Sequence, residues 1–187
     1  MAIKTPKYSI IEEYEINPLT MMILPTTYGS KTYSTIIEVN KTFICPFPPK
    51  SIIQKSCKYF GVSYEGRIAG TKQIIGNLNK VPLTIDSKHS IYFLPTTSPQ
   101  NSNCIWISHY HVFSYEPINS KTTKVTFRNK LEYEVPISFS SFETQLLRTA
   151  MLRMKLMNRI EEIKKKTDYV NLIYHLNVAE KGHYDSY

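Results

Sequence analysis

The chain has no run of apolar residues long enough to cross a bilayer. Met21-Met22-Ile23-Leu24 falls far short of the ~20 residues that a spanning helix needs, and is also shorter than a secretory h-region. The expectation is a cytoplasmic protein with no membrane partner. Cysteine is scarce: Cys45, Cys57 and Cys104 are odd in number and widely spaced, which excludes a disulfide framework and points to reduced thiols. Glycine occurs six times, and the stretch Gly66 to Lys72 lacks the four-residue gap and the Gly-Lys-Ser/Thr ending of a nucleotide-binding loop. Catalytic signatures are missing too. There is no His-Glu-x-x-His, no Gly-x-Ser-x-Gly and no pair of carboxylates at working spacing. Cys57 falls on the apolar face of an expected helix, where a thiol packs instead of reacting. His109 and His111 lie two apart on an expected strand and share a face, but Cys104 is on the other face and no third ligand is near. The reading is a non-enzyme with neither metal nor cofactor.

What is present is positive charge, and it is clustered. The net charge is +8. Residues 50–80 carry six basic side chains against Glu65 alone, and residues 148–166 carry seven against Glu161 and Glu162. The stretch between them is balanced, so these two segments supply more than the whole excess. A neutral scaffold with two basic segments fits a surface for a polyanion; two solvated helix faces would look the same from charge alone.

The pattern of elements predicts an α+β fold: a β-rich, mainly antiparallel body, an embedded short helical pair and a helical C-terminus. Glu12–Ile16, Thr20–Leu24, Thr32–Val39 and Thr42–Cys45 read as strands. Strands are also expected at Pro82–Ile85, Ile91–Leu94 and, as one long run, Cys104–Tyr115. Thr123–Phe127 and Leu131–Val135 alternate around Arg128-Asn129-Lys130 as a hairpin. Lys50–Phe60 has helical spacing and ends at Gly61. Ser63 can cap a second helix from Tyr64 to Ile75. Ser140 and Glu143 look like a capping box for a long helix to about Lys166, with Phe142, Leu146, Ala150, Met154 and Met157 as its apolar stripe. Thr167 or Asp168 could then cap a last helix in which Tyr169, Leu172, Ile173 and Leu176 are apolar. The expected division is therefore a single α+β domain over residues 1–166 and a C-terminal helix or tail, a candidate oligomerisation element, over 167–187.

The helical pair superficially resembles a helix-turn-helix, yet its second helix holds Gly66 and Gly70 and only Arg67 and Lys72 as strong donors. Glycines there would allow the backbone to approach a phosphate or groove wall, while Arg67 reaches into a narrow groove. A tight structural turn between packed elements is the competing reading.

Longer strings carry a resemblance. Ser56-Cys-Lys-Tyr-Phe-Gly-Val-Ser-Tyr-Glu-Gly-Arg-Ile-Ala-Gly-Thr71 resembles the Ser-Cys-Arg/Lys-aromatic-aromatic-Gly block of the ComK family of competence transcription factors. Lys80-Val-Pro-Leu, Ile91-Tyr-Phe-Leu-Pro-Thr-Thr97, Cys104-Ile-Trp-Ile-Ser-His-Tyr-His-Val112, Val125-Thr-Phe and Pro136-Ile-Ser-Phe-Ser-Ser-Phe-Glu-Thr-Gln145 resemble further blocks, in the family's order over roughly residues 10–160. The resemblance implies a nucleoid-associated activator of competence genes that binds paired A/T-rich boxes of double-stranded DNA, largely through the minor groove. It also implies self-assembly as a dimer or tetramer, contact with RNA polymerase, and a Clp-protease adaptor as a further partner. The aromatic-Leu-Tyr-Pro element that serves that adaptor in the family is not found after Arg159.

On this reading Lys55, Lys58, Arg148, Lys155 and Arg159 position phosphates, and Arg67 with Lys72 enters the minor groove. Arg148 and Arg153 cannot both face DNA, because five residues turn a straight helix by about 140°. The alternative function is a basic module that binds an acidic protein partner without recognising DNA.

Overall fold

The computed structural model describes residues 9–181, with side chains through residue 175. It forms two compact units that divide between Arg153 and Met154.

The first unit is built on a seven-stranded sheet. Its strands are β1 (Ser9–Ile10), β2 (Thr20–Tyr28), β3 (Lys31–Glu38), β4 (Thr42–Cys45), β5 (Leu83–Asp86), β6 (Ile91–Pro95) and β7 (Trp106–Ser108), in the order β1-β4-β3-β2-β7-β6-β5. All neighbours are antiparallel except β1 and β4. Gly29, at φ +60°, takes the first position of the two-residue turn between β2 and β3, where a side chain would be strained. A second, three-stranded antiparallel sheet holds β8 (Val112–Asn119), β9 (Thr122–Phe127) and β10 (Glu132–Val135). The α+β class and its antiparallel body are thus as the sequence predicts.

Alternation along the central strands feeds two cores. Ile23, Phe93 and Trp106 point to one face and meet Ile52, Ile53 and Cys57 of α1 (Pro49–Tyr59). Met22, Leu94 and Ile107 point to the other and meet Val125 and Phe127 of the small sheet and Phe142 of α3 (Phe139–Lys181). Each fully buried Ile or Phe contributes about 1.5–3 kcal/mol. The sheet lies between helices α1 and α2 (Tyr64–Ile75) on one side and the small sheet with the start of α3 on the other.

Local sequence explains the helical pair. Pro49 suits the first turn, where no amide partner is lost. Gly61, at φ +76°, closes α1 in a Schellman arrangement: its N–H donates to Lys58 O at 2.9 Å, and that of Val62 to Cys57 O at 3.1 Å. The Ser63 hydroxyl then accepts from Gly66 N–H at 3.0 Å and opens α2.

Four local expectations are corrected. Glu12–Ile16 is not a strand; the chain is irregular there, and Ile16 N–H is satisfied by Ser56 Oγ at 2.9 Å. The single strand over Cys104–Tyr115 is broken by a 3₁₀ turn at His109–His111, where the chain leaves the large sheet for the small one. The two histidines therefore do not share a strand face. Ser140 does not cap α3. Phe142 N–H donates to Ser138 O at 2.9 Å, so Ser138 stands at the helix start, and Glu143 accepts from the Tyr115 hydroxyl at 3.2 Å. Finally, no break occurs at Thr167, whose hydroxyl donates back to Ile163 O at 3.0 Å inside one continuous helix.

The second unit carries the distal part of α3. Met154, Ile163, Tyr169, Leu172 and Tyr174 are exposed there. Leu176 lies outside the residues whose side chains are described. No helix among the described residues is long and apolar enough to cross a membrane.

Candidate nucleic-acid interface

The first unit has three adjoining clefts with shared walls. Lys50, at the start of α1, lines a cleft of about 210 Å³ with Pro99 and Gln100 of the β6–β7 loop. Its Nζ donates to Gln100 Oε1 at 2.8 Å. Pro99 and Gln100 also wall a second cleft of about 240 Å³, in which Lys72 stands in the last turn of α2 opposite Leu78 and Asn79. Leu78 and Asn79 in turn wall a third cleft of about 420 Å³, where Lys80 faces Ser140, Gln145 and Arg148 of α3. Lys50, Lys72, Lys80 and Arg148 thus mark one track, and no acidic side chain lines any of the three clefts. A positive groove free of carboxylates focuses potential outward and attracts a polyanion.

The sequence-derived candidates fall into distinct environments. Lys72 and Arg148 lie on this track. Lys58 is exposed on the last turn of α1. Lys55 is half-buried: its ammonium pairs with Glu13 Oε1 at 2.9 Å and lies 3.7 Å from the centre of the Phe47 ring. Arg67 donates from Nη2 to Ile85 O at 3.0 Å and buries its Nε without a partner, which ties α2 to the outer edge of β5. Lys155 and Arg159 are exposed on the distal part of α3, in the other unit. Arg148 and Arg153 do part company: Arg148 lines the cleft, whereas Arg153 buries its Nε.

The glycines of α2 differ in kind. Its exposed residues are Glu65, Gly66, Ala69, Gly70 and Gln73. A Cβ on Gly70 would meet nothing within 4 Å, whereas one on Gly66 would come to 3.1 Å from the capping Ser63 hydroxyl. Gly70 therefore leaves an open, shallow spot on the helix, and Gly66 accommodates the cap.

Elsewhere the titratable groups are inward-facing. All three cysteines are free and buried, and burial pushes the Cys57 thiol up to about 11. Burial, then the nearby Arg153 and Arg128, hold His109 below its ordinary value; burial does the same for His111, whose Nε2–H donates to Pro18 O at 2.9 Å. Among the described residues no group of three or more His, Cys, Asp or Glu side chains could hold a metal ion.

Residues 11–161 match the family model described as ComK protein. The chain belongs to the ComK family. It is 38% identical over 161 residues to the competence transcription factor of Bacillus subtilis (strain 168), an alignment that covers 86% of this chain and 84% of that protein. No solved structure matches it. The span that matches the ComK model contains every residue of the three clefts.

Within this ComK-family chain, Lys50 and Lys80 are the track residues not singled out from sequence. Both were inside the basic segment 50–80, at its two ends. Their role depends on being carried to one groove by α1 and by the loop before β5, which charge density along the chain does not reveal.

Proposed function

We propose that this ComK-family protein is a competence transcription regulator that binds double-stranded DNA along the Lys50–Lys72–Lys80–Arg148 track. The observation that carries the reading is that track, with its four cations and its carboxylate-free walls. The membership in the ComK family and the likeness to a competence transcription factor support it. Phosphates lie along the clefts and release their counterions, giving affinity without sequence information. Sequence preference for paired A/T-rich boxes comes from the minor groove, whose narrow A/T tracts accept a small-residue surface and attract cations. The open spot at Gly70, on the exposed face of α2 that also carries Gly66 and Gln73, is the element suited to that approach. Arg67 contributes by holding α2 in place through Ile85. Lys58, Lys155 and Arg159 add phosphate contacts, and Lys55 braces α1 against Glu13. A homo-oligomer sets the spacing between boxes, and the exposed apolar residues of distal α3 are its assembly surface.

The test is fluorescence anisotropy with A/T-box and G/C duplexes of equal length at several salt concentrations. Lys50→Ala with Lys72→Ala should weaken binding to both duplexes alike and reduce the salt slope by roughly two. Equal affinity of the native protein for the two duplexes would remove the A/T reading. An unchanged slope in the double variant would take the track out of the interface.

A further inference from the structure

The largest of the three clefts has features that a backbone track alone does not require. The first-turn amides of Ser140 and Ser141, on its wall, precede the first bond of α3 and lack a partner within the helix. They stand at the positive end of the helix dipole, where anions are favoured. Lys80 on one wall and Arg148 on the other add two full charges. Gln145 is the independent sign of an occupant. It walls the cleft, is only 2% exposed, and its Oε1 has no hydrogen-bond partner. A buried amide oxygen left unpaired is costly, and turning the amide about its last torsion offers either a donor or an acceptor to the cleft.

From this arrangement we infer that the cleft is a receptor for a phosphate ester, with Lys80, Arg148 and the α3 amides on the phosphate and Gln145 on the group esterified to it. A forked guanidinium, an ammonium and helix amides match a tetrahedral anion with several acceptor oxygens. The volume, about 420 Å³, far exceeds one phosphate and leaves room for its substituent. The phosphate belongs either to a DNA backbone, in which case the inference rests on the proposed function, or to a free mononucleotide, in which case it stands apart from it.

The test uses full-length, ¹⁵N-labelled protein and the Gln145 side-chain amide signal, identified by its loss in Gln145→Glu. Inorganic phosphate, deoxyadenosine monophosphate and an A/T-box duplex are titrated separately. Movement with the duplex alone assigns a DNA phosphate. Lys80→Gln and Arg148→Gln should then each lower the salt slope by well under one, and the pair together by about one, because they hold the same phosphate. Saturable movement with the mononucleotide below millimolar concentration assigns a free ester; if the duplex then fails to bind, the cleft inference stands and the DNA reading falls. If none of the three moves the Gln145 signal while the duplex still binds, the cleft inference falls and the DNA reading stands. If nothing binds at all, both fall. The signal is read in the native protein, so the test survives a variant that does not fold.

Discussion

Arg67 and the histidines of the 3₁₀ turn make the clearest predictions at the scale of single side chains. The Arg67 guanidinium donates to Ile85 O and is half-buried, so its removal strands a backbone carbonyl at the sheet edge. Arg67→Ala should lower stability by about 1–3 kcal/mol, read by urea unfolding. If it acts only through α2, affinity in the folded fraction changes little; a large loss of DNA affinity at unchanged stability would make it a direct contact. His109 and His111 are held below their ordinary value by burial first. The unfolded chain therefore binds protons that the folded chain does not, and stability must fall as pH drops through the unfolded value of about 6.5. Thermal midpoints measured from pH 7.5 down to 5.5 should fall, and His109→Gln should flatten that fall. An identical slope in the variant would place the pH sensitivity elsewhere.

Elements show the same substitution acting with opposite signs. Gly61→Ala forces a Cβ into φ +76° at the close of α1 and should cost about 1 kcal/mol. Gly70→Ala lies mid-helix with open space around it and should stabilise by about 0.5–1 kcal/mol. Differential scanning calorimetry of the two variants checks both signs. If the face of α2 meets the minor groove, Gly70→Leu should keep that stability yet bind A/T-box duplex at least tenfold more weakly. Residues that act through neighbours in sequence were readable: Gly61, Ser63 and the bounds of α2 follow from local chemistry. The start of α3 lies two residues earlier than the sequence suggests, because Ser138, Ser140 and Ser141 all suit that position and the backbone hydrogen bond from Phe142 N–H to Ser138 O, set by packing, decides it. The cleft was not readable at all, since Lys80 and Gln145 are far apart in sequence and meet only through the fold.

For the whole molecule, both core clusters lie within residues 11–146, so they do not depend on distal α3. Deleting residues 167–187 should leave a folded protein by circular dichroism. If the exposed apolar residues of that segment join subunits, the truncated protein sediments as a smaller species. It then binds paired boxes far less tightly while single-box affinity falls little; an unchanged sedimentation coefficient would place assembly elsewhere. Another property belongs to the central sheet. Strand β6 sends Phe93 to the helical side and Leu94 to the far side, and β7 does the same with Trp106 and Ile107. Neither core can open without loosening the backbone of the other. Amide protons of β6 and β7 should therefore be the slowest in the protein to exchange with deuterium, released only by global unfolding. A polyanion seated along the track would then slow exchange in these strands and also in β9, which lines none of the three clefts.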